Sequence, residues 1–341
     1  MKVSIIIPVY NVSAYIERCL LSVLNQTWQE LEVVVVDDCT PDNSMEIVNA
    51  VVASHPRGEI VKIMHHNVNR GLSAARNTGT CAATGEYVYY LDSDDYVSED
   101  CITSLAEMAT AHKPDFVIGN YQPVGGKCWA LPLRLPTGIL YGNWRIMSAF
   151  VRDEWYVMAW NKLIRLSFIF ENEIFFQFGI TAEDEYWSFK VACAVRKMCV
   201  VDKVTYFYVM QPDSIVHTPS RNNLDSRVAV VARTYDYIIS MYLSDNPLVN
   251  RYFEQLKERS FETIVRDEDT SYHRQSYRIF REIKLLSPTK LLFGMGVGLK
   301  QRVLNVHYML PKPMGYHYYK ALVRGKMLLI WLKWRLNAGK L

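Results

Sequence analysis

The chain has 341 residues, of which half are apolar and 21% are charged, and this composition is typical of globular proteins and excludes a disordered one. Its net charge of +3 hides an asymmetry, because residues 283–341 carry 11 Lys and Arg residues and no acid. The seven cysteines are scattered without a C-x-x-C pair, which argues against a disulfide framework or a zinc site. The sequence shows neither a signal peptide nor the ~18 consecutive apolar residues of a membrane-spanning helix, so we expect a cytoplasmic protein.

The first 120 residues predict alternating strands and helices. Continuous apolar runs with many β-branched residues predict strands, and apolar residues at helical spacing predict helices between them. The predicted strands are 4–10, 31–36, 60–64, 86–91 and 116–119. Ser13 is a predicted cap for the first helix, and Asn43 with Glu46 resembles a capping box for the second. Two further helices are predicted at 72–83 and from 98 to about 111.

This alternation predicts an α/β fold with a Rossmann-like, mostly parallel sheet flanked by helices on both faces. Asp37 and Asp38 follow the second strand, and Asp92, Asp94 and Asp95 follow the fourth. Parallel strands end at one edge of a sheet, which is where such sheets bind ligands. Crowded carboxylates at that edge are typical of a Mg²⁺ or Mn²⁺ site. The alternative is a solvated acidic turn that caps the next helix.

The later part of the chain changes character. Residues 121–145 are rich in Pro and Gly and predict a loop or short strands, and helix and strand signals resume up to about residue 208. Helices are then predicted at 226–243, 248–266 and 272–286. We therefore predict two domains, an α/β one at 1–220 that contains the acidic edge and a helical, basic one at 221–341.

Several common motifs are absent from the sequence. The turn after the first strand has no glycine, so the G-x-G-x-x-G fingerprint is missing, and there is no P-loop. The hydrolase motifs G-x-S-x-G and H-E-x-x-H are missing too. What remains is a nucleotide site built from side chains and carboxylates.

Five motifs occur in the order typical of one enzyme family. They are Ser4-Ile-Ile-Ile-Pro-Val-Tyr-Asn11, Val36-Asp-Asp38, Asn69-Arg-Gly-Leu-Ser-Ala-Ala-Arg-Asn77, Gly85-Glu86 and Leu91-Asp-Ser-Asp-Asp95. With them the chain resembles the family-2 glycosyltransferases, which are inverting enzymes of the GT-A fold that use nucleotide-diphosphate sugars. Weaker matches continue through Trp160-Asn-Lys-Leu163, Ala182-Glu-Asp184 and Tyr206-Phe-Tyr208. The resemblance covers about residues 1–217.

The resemblance implies a role for individual residues. It places the nucleotide-sugar site at Pro8, Tyr10, Asn11, Asp38, Arg76, Asp92 and Ser93. Asp38 would accept a hydrogen bond from the base, and Arg76 would face the donor phosphates or the sugar. The alternative role of Arg76 is a salt bridge at the sheet edge. Asp94 would ligate Mn²⁺ or Mg²⁺ that bridges the diphosphate, with His217 as a further candidate ligand, although a lone histidine is more often structural.

The catalytic base is predicted in the run Glu183-Asp184-Glu185. A hydroxyl acceptor is a poor nucleophile until a base removes its proton. The family pattern places this base at Asp184, and Glu183 would raise its pKa by like-charge repulsion. The alternative is an acidic first turn that stabilises the following helix. Glu171-Asn172, where relatives often have glycine after the glutamate, departs from the family pattern near the acceptor loop.

The implied activity is transfer of a single sugar to a hydroxyl of a glycan or lipid-linked glycan in bacterial surface polysaccharide synthesis. Processive members usually have a Q-x-x-R-W motif and membrane spans, and neither occurs here. A nucleotidyltransferase is an alternative, but it would usually need a Gly-rich basic loop after the first strand. A non-catalytic scaffold is another alternative, against which the intact acids speak.

The segment 316–336 interleaves basic residues with aromatic and aliphatic ones, a pattern typical of an interfacial helix. Anionic lipids would attract it by about 1 kcal/mol per basic residue near the surface. We therefore expect peripheral association with the inner face of the cell membrane. The alternative is a helix docked on the catalytic domain with a solvated basic face. No base-reading module accompanies the charge, so nucleic acid is not an expected partner.

Overall fold

The structure is a computed structural model that describes residues 1–126, 132–210, 220–294 and 297–338, with 330–338 described by backbone alone. By its internal contacts the chain divides into two units, one comprising 1–179 with 183–214 and the other 180–182 with 215–341. The predicted domain boundary at residue 220 stays a prediction.

A mixed sheet forms the core of the first unit. Its strands are β1 (Val3–Val9), β2 (Leu31–Asp37), β3 (Val61–His65), β4 (Tyr87–Tyr90), β5 (Tyr96–Val97), β6 (Phe116–Val124), β7 (Gly138–Tyr141), β8 (Lys162–Arg165) and β9 (Lys197–Val209). Their order is β3-β2-β1-β4-β8-β6-β9-β5, with β7 also paired to β9. The strands β3, β2, β1 and β4 are all parallel, which confirms the predicted Rossmann-like arrangement. Antiparallel pairs begin at β8, which pairs with β4 and β6.

Helices connect the strands of the first unit and make up most of the second. Those of the first unit are α1 (Ile16–Leu24), α2 (Ser44–Ser54), α3 (Leu72–Ala82), α4 (Cys101–His112), α5 (Asn143–Val151), α6 (Leu166–Glu171) and α7 (Glu183–Ala194). Those of the second are α8 (Arg221–Ser240), α9 (Pro247–Ile264), α10 (Thr270–Glu282), α11 (Pro288–Phe293), α12 (Leu299–Asn305) and α13 (Lys312–Ala338). Short 3₁₀ turns lie at Gly58–Ile60 and Val306–Tyr308.

The central strands β1 and β4 are buried along their whole length, as expected of strands that are covered on both faces. Every residue of β1 is buried, and Val34 and Val36 of β2 pack with Ala75 of α3. Small side chains let α3 approach closely, and Gly79 lies directly against Ile6. This close packing fixes where α3 begins and ends relative to the sheet edge.

Two predicted helix caps are wrong. The first helix begins at Ile16, and the Ser13 side chain does not cap it; the Ser13 amide instead donates to Asp42 Oδ2 at 2.9 Å. Asn43 precedes the second helix without a side-chain cap, and Asp42 accepts from the Ser44 amide at 3.2 Å and from its hydroxyl at 2.6 Å. A carboxylate is the stronger acceptor, so Asp42 serves the starts of both helices.

The region after residue 116 also differs from the prediction. β6 runs on to Val124 because it pairs with β9, with register shifts after Gly119 and Asn120. The sequence predicted a loop or short strands there, since Pro123 and the later glycines are rare inside strands. Pro123 lies near the end of β6, where its missing N–H costs little.

The helix α13 contains the segment predicted as interfacial, and its first half docks within the second unit. Tyr316, Tyr319 and Val323 are at most 6% exposed. Lys326 donates to Glu258 at 2.8 Å and also to Glu262. In the described part of the chain, none of the helices combines the length and hydrophobicity that crossing a bilayer requires.

Replacing Gly79 by Ala should destabilise the protein by about 1–3 kcal/mol, the usual cost of overpacking a core. The new Cβ would lie 2.3 Å from Ile6 Cγ2, so the side chain or α3 must shift. Gly325→Ala in α13 is the matched control, because nothing lies within 4 Å of its Cβ, and it should be neutral or stabilising by about 0.5–1 kcal/mol. Urea unfolding followed by circular dichroism measures both, and equal effects would contradict the packing argument.

Candidate functional site

The carboxyl ends of β1, β2 and β4 meet at one edge of the sheet because these strands are parallel. Asp38 follows β2, and Asp92 follows β4 by two residues. The strand topology therefore places the two acidic groups at one edge of the sheet, as predicted. A third acidic group, Glu183 and Asp184, is bonded to Arg76 at this site.

A buried guanidinium joins three carboxylates from two distant parts of the chain. Arg76 on α3 is 1% exposed; its Nη2 donates to Asp92 Oδ1 at 2.7 Å, and its Nη1 donates to Glu183 Oε1 at 3.0 Å and Asp184 Oδ1 at 2.9 Å. The Phe176 ring lies 5.1 Å from the guanidinium carbon. We call these four charged residues the Arg76 cluster. Contact of Arg76 with donor phosphates stays a prediction, and it would require the cluster to open.

Burial and nearby negative charge raise the pKa values of Glu183 and Asp184. Burial raises the pKa of Glu183, and the charge of Asp184 adds to the rise while Arg76 opposes it. Burial also raises the pKa of Asp184, Arg76 opposes this, and the Asp92 charge adds to it. A carboxylate whose pKa is moved toward neutrality is a better general base than an ordinary aspartate. Asp184 keeps 21% of its side chain exposed and Glu183 only 8%, so Asp184 is the more accessible of the two.

The three acids after β4 have different surroundings. Asp92 joins the Arg76 cluster. Asp95 is fully buried and accepts from the Tyr206 hydroxyl at 2.5 Å and the Val209 amide at 2.7 Å, so it holds β9 to the turn. Asp94 lies between them; burial and the Asp92 charge raise its pKa to about 6.

Asp38 is 3% exposed and organises the loop that starts α3. Its Oδ1 accepts from the Arg70 amide and its Oδ2 from the Gly71 amide, both at 2.8 Å. His66 Nδ1 lies 2.6 Å from Oδ1. Gly71 has φ +84°, a conformation that favours glycine. A carboxylate offers about four acceptor positions, so the predicted bond from a nucleobase would use the remaining one.

The other predicted donor-site residues lie at the ends of the same strands. Pro8 is buried within β1, and Tyr10, just after it, is 46% exposed. Asn11 has φ +54° and its amide donates to Thr40 Oγ1 at 2.8 Å. Ser93 is 7% exposed between Asp92 and Asp94. None of these four is part of the Arg76 cluster, and their contact with a donor stays a prediction.

The predicted metal site rests on Asp94 alone among the described residues, because His217 lies outside them. Within the described ranges no group of three or more His, Cys, Asp or Glu side chains is arranged to hold a metal ion. Mg²⁺ sites on nucleotides usually use one or two carboxylates together with substrate phosphates and water. Asp94 with the nearby charge of Asp92 fits such a cation, because burial and then the Asp92 charge disfavour the ionised form of Asp94 and a bound cation would favour it.

Lys162 at the start of β8 is close enough to interact electrostatically with Asp184, although it received no role from the sequence. It is fully buried, its ammonium donates to the Met158 carbonyl, and it lies 4.2 Å from the centre of the Tyr156 ring. Burial lowers the pKa of Lys162, and the negative charge of Asp184 partly opposes this decrease. The one available signal was a lysine inside the otherwise apolar Trp160-Asn-Lys-Leu163 motif.

Comparisons with known proteins identify the family of this chain. Residues 4–168 match the family model described as glycosyl transferase family 2. This part, nearly half of the chain, belongs to that family. It is 31% identical over 233 residues to the uncharacterized glycosyltransferase EpsJ of Bacillus subtilis, and the aligned region covers 66% of each chain, just under two thirds. The predicted family and the predicted transferase class are thus confirmed.

Two solved structures share the fold of this family-2 chain. S. aureus TarS in complex with UDP-GlcNAc has a TM-score of 0.72 at 20% identity, covering 96% of this chain and 92% of that chain. The mannosyltransferase PcManGT of Pyrobaculum calidifontis, in complex with GDP-Man and Mn²⁺, has a TM-score of 0.51 at 16% identity, covering 96% and 87%. These likenesses confirm the GT-A fold with a helical C-terminal region.

Asp94→Asn should make this protein more stable at neutral pH in a metal-free buffer. The unfolded carboxyl loses its proton near pH 3.8 and the folded one near pH 6, so the native state binds more protons in between and stability falls as pH rises through this range. Asparagine removes that fall. We expect a gain of about 1–3 kcal/mol at about pH 7 and almost none at about pH 4, measured by urea unfolding in EDTA.

Glu32→Gln is the control of opposite sign. Burial would raise the pKa of Glu32, but hydrogen bonds from Lys2, Ser4 and Thr84 outweigh it and lower the pKa from 4.5 to about 2. Its stabilisation is present above pH 4.5 and is lost as pH falls toward 2. The variant should therefore be less stable than wild type at about pH 7, with a deficit that shrinks at low pH. A parallel pH dependence in the two variants would contradict the assignment of Asp94.

Proposed function

We propose that this protein transfers a single sugar, with inversion, from a nucleotide-diphosphate sugar to a hydroxyl of a glycan acceptor. The observation that carries the proposal is the Arg76 cluster, which joins Asp184 to Asp92 at the ligand edge of the sheet. The donor class is supported by TarS, solved with UDP-GlcNAc and with UDP, and by PcManGT, solved with GDP-Man. The membership in glycosyl transferase family 2 supports the reaction class.

Asp184 is the proposed catalytic base. One of its oxygens accepts from Arg76, which orients the carboxylate while the partly exposed remainder can accept the proton of an acceptor hydroxyl. Arg76 cannot itself take this proton, because the three carboxylates outweigh the effect of burial and raise its pKa. Glu183 is 8% exposed and bonded to the same Nη1; burial and the charge of Asp184 raise its own pKa, whereas the like charge that raises the pKa of Asp184, after burial, is that of Asp92.

Inversion in one displacement needs a single base on the face opposite the leaving group. A retaining route through a covalent intermediate would need a second, accessible carboxylate as nucleophile. Glu183 is nearly enclosed, and Asp92 is assigned to the donor, so Asp184 is the one carboxylate of the cluster left to serve the acceptor.

The proposed cofactor is Mn²⁺ or Mg²⁺, held by Asp94 and the donor diphosphate. A divalent cation so placed stabilises the negative charge that builds on the leaving diphosphate. Asp92 keeps its bond to Arg76 and contacts the ribose or the donor sugar, while Tyr10 borders the nucleoside. His217 stays a candidate for a further contact.

The proposed acceptor is a growing bacterial surface glycan, free or lipid-linked. Among the relatives, TarS of Staphylococcus aureus is named a poly(ribitol-phosphate) beta-N-acetylglucosaminyltransferase, with 28% identity over 215 residues. We propose that the protein works in the cytoplasm at the inner face of the membrane, because the acid-free segment 283–341 carries 11 basic residues and anionic lipids attract such segments.

Asp184→Asn should lower sugar transfer by about 10²–10⁴-fold, the usual contribution of a general base. The amide keeps the shape of the side chain but cannot accept a proton, so affinity for the donor should change little. Release of nucleoside diphosphate from a panel of nucleotide sugars measures turnover, and titration calorimetry with UDP or GDP measures binding. Glu185→Gln, at the next position of α7, should keep most activity. Turnover near wild type in Asp184→Asn would refute the base assignment.

Binding of UDP or GDP should be about tenfold tighter or more with Mn²⁺ than with EDTA, a difference of ~1.4 kcal/mol. Asp94→Asn should remove most of this difference, because Asp94 is the carboxylate proposed to meet the cation. Calorimetry with and without Mn²⁺ tests both statements. Binding that ignores the metal in the wild-type protein would refute the cofactor proposal and favour a non-catalytic scaffold.

A further inference from the structure

Four large apolar side chains are exposed within a short part of the second unit. Phe293 is 72% exposed, Leu299 80%, Val303 41% and Met314 60%. Folded proteins rarely expose several such side chains together unless the patch contacts a partner or a membrane. We call these four residues, with Lys300 and Arg302, the α12 surface.

Contacts within the second unit bring these side chains to one region. Leu299 and Val303 are four residues apart on α12 and so lie on one face of the helix. The Tyr318 hydroxyl donates to the Val303 carbonyl at 2.8 Å, which brings the start of α13 beside α12, and Met314 precedes Tyr318 by one helical turn. Phe293 ends α11, which is tied to α12 by a 2.9 Å bond from Asn305 Nδ2 to the Leu291 carbonyl.

The charge of the α12 surface has one sign. Lys300 has 69% of its side chain exposed, and Arg302 is exposed in the same helix. No acid occurs anywhere in residues 283–341, and the acid that Lys300 approaches, Glu258, is only 5% exposed. Apolar side chains interleaved with exposed basic ones fit an anionic lipid surface, where both groups find partners at the interface.

We propose that the α12 surface is the part of this protein that contacts an anionic membrane. This inference rests on the membrane association proposed above and assigns it to different residues from those indicated by the sequence. The aromatic side chains of the segment 316–336 cannot all insert, because Tyr316 and Tyr319 are at most 6% exposed and pack within the unit. Short α12, with no long apolar face, lies flat at the interface with Phe293 and Leu299 inserted.

The test uses the full chain and sedimentation with vesicles of phosphatidylcholine, alone or with about 40% phosphatidylglycerol, which carries the negative charge. The variants are the double change Phe293→Ser with Leu299→Ser, and Tyr242→Ser as a control. Tyr242, at the turn after α8, is 93% exposed in the same unit, but it precedes Asp245 rather than basic residues. All three changed positions are highly exposed, so folding should be retained, and circular dichroism checks this.

We expect the wild type to bind the anionic vesicles and not the neutral ones, with binding that weakens as salt rises. The double variant should bind about tenfold less or weaker still, Tyr242→Ser should bind as wild type, and hydrolysis of the donor in solution should be unchanged in both. Equal binding by the double variant would overturn the assignment to the α12 surface and leave the membrane association standing. No binding by the wild type would overturn both. A dimer that the double variant loses, without vesicle binding, would show instead that a second copy covers this surface.

Discussion

The site depends on one buried positive charge. Arg76 holds Asp92, Glu183 and Asp184 at 2.7–3.0 Å, and each of these acids would repel the others without it. Removing one partner from such a buried ion-pair network typically costs ~3–5 kcal/mol, because it leaves charge uncompensated. The same charge limits how far burial raises the pKa of Asp184. A single guanidinium thus sets both the geometry and the basicity of the proposed base.

The position of Arg76 is fixed by contacts at the start of α3 and along the face of α3 that packs on the sheet. At its start, Asp38 binds the amides of Arg70 and Gly71, so the acid after β2 determines where the helix begins. Along its length, Ala75 and Gly79 pack against the central strands, which leaves no room to slide. The motif from Asn69 to Asn77 therefore has a structural role as well as a chemical one. Its small residues allow close packing on the sheet, and this packing positions Arg76.

The sequence predicted those parts of the site that depend on local pattern and on strand direction. Alternating strands and helices predicted the parallel strands β1–β4 and the shared edge of Asp38 and Asp92. Pattern could not predict that Arg76 meets residues 107 and 108 positions away, because a salt bridge between distant segments leaves no periodic signal. The same holds for the long pairing of β6 with β9, where long-range partners override the preference of Pro and Gly for loops. The caps failed for a related reason, as a neighbouring carboxylate displaced the predicted side chains.

The charge asymmetry of the chain has a structural explanation that is only partial. Acids of α9 form ion pairs with lysines of the acid-free C-terminal segment. Glu258 and Glu262 pair with Lys326, and Glu258 is also near Lys300. Such pairing neutralises basic side chains that face the inside of the second unit, and it explains why α13 docks although its sequence resembles an interfacial helix. One acid shared by two lysines leaves net positive charge, however, and Lys300 directs most of its side chain to solvent. The aromatic residues Tyr316 and Tyr319 therefore serve the packing of α13, while on the neighbouring short helix Lys300 lies in solvent beside the exposed Leu299.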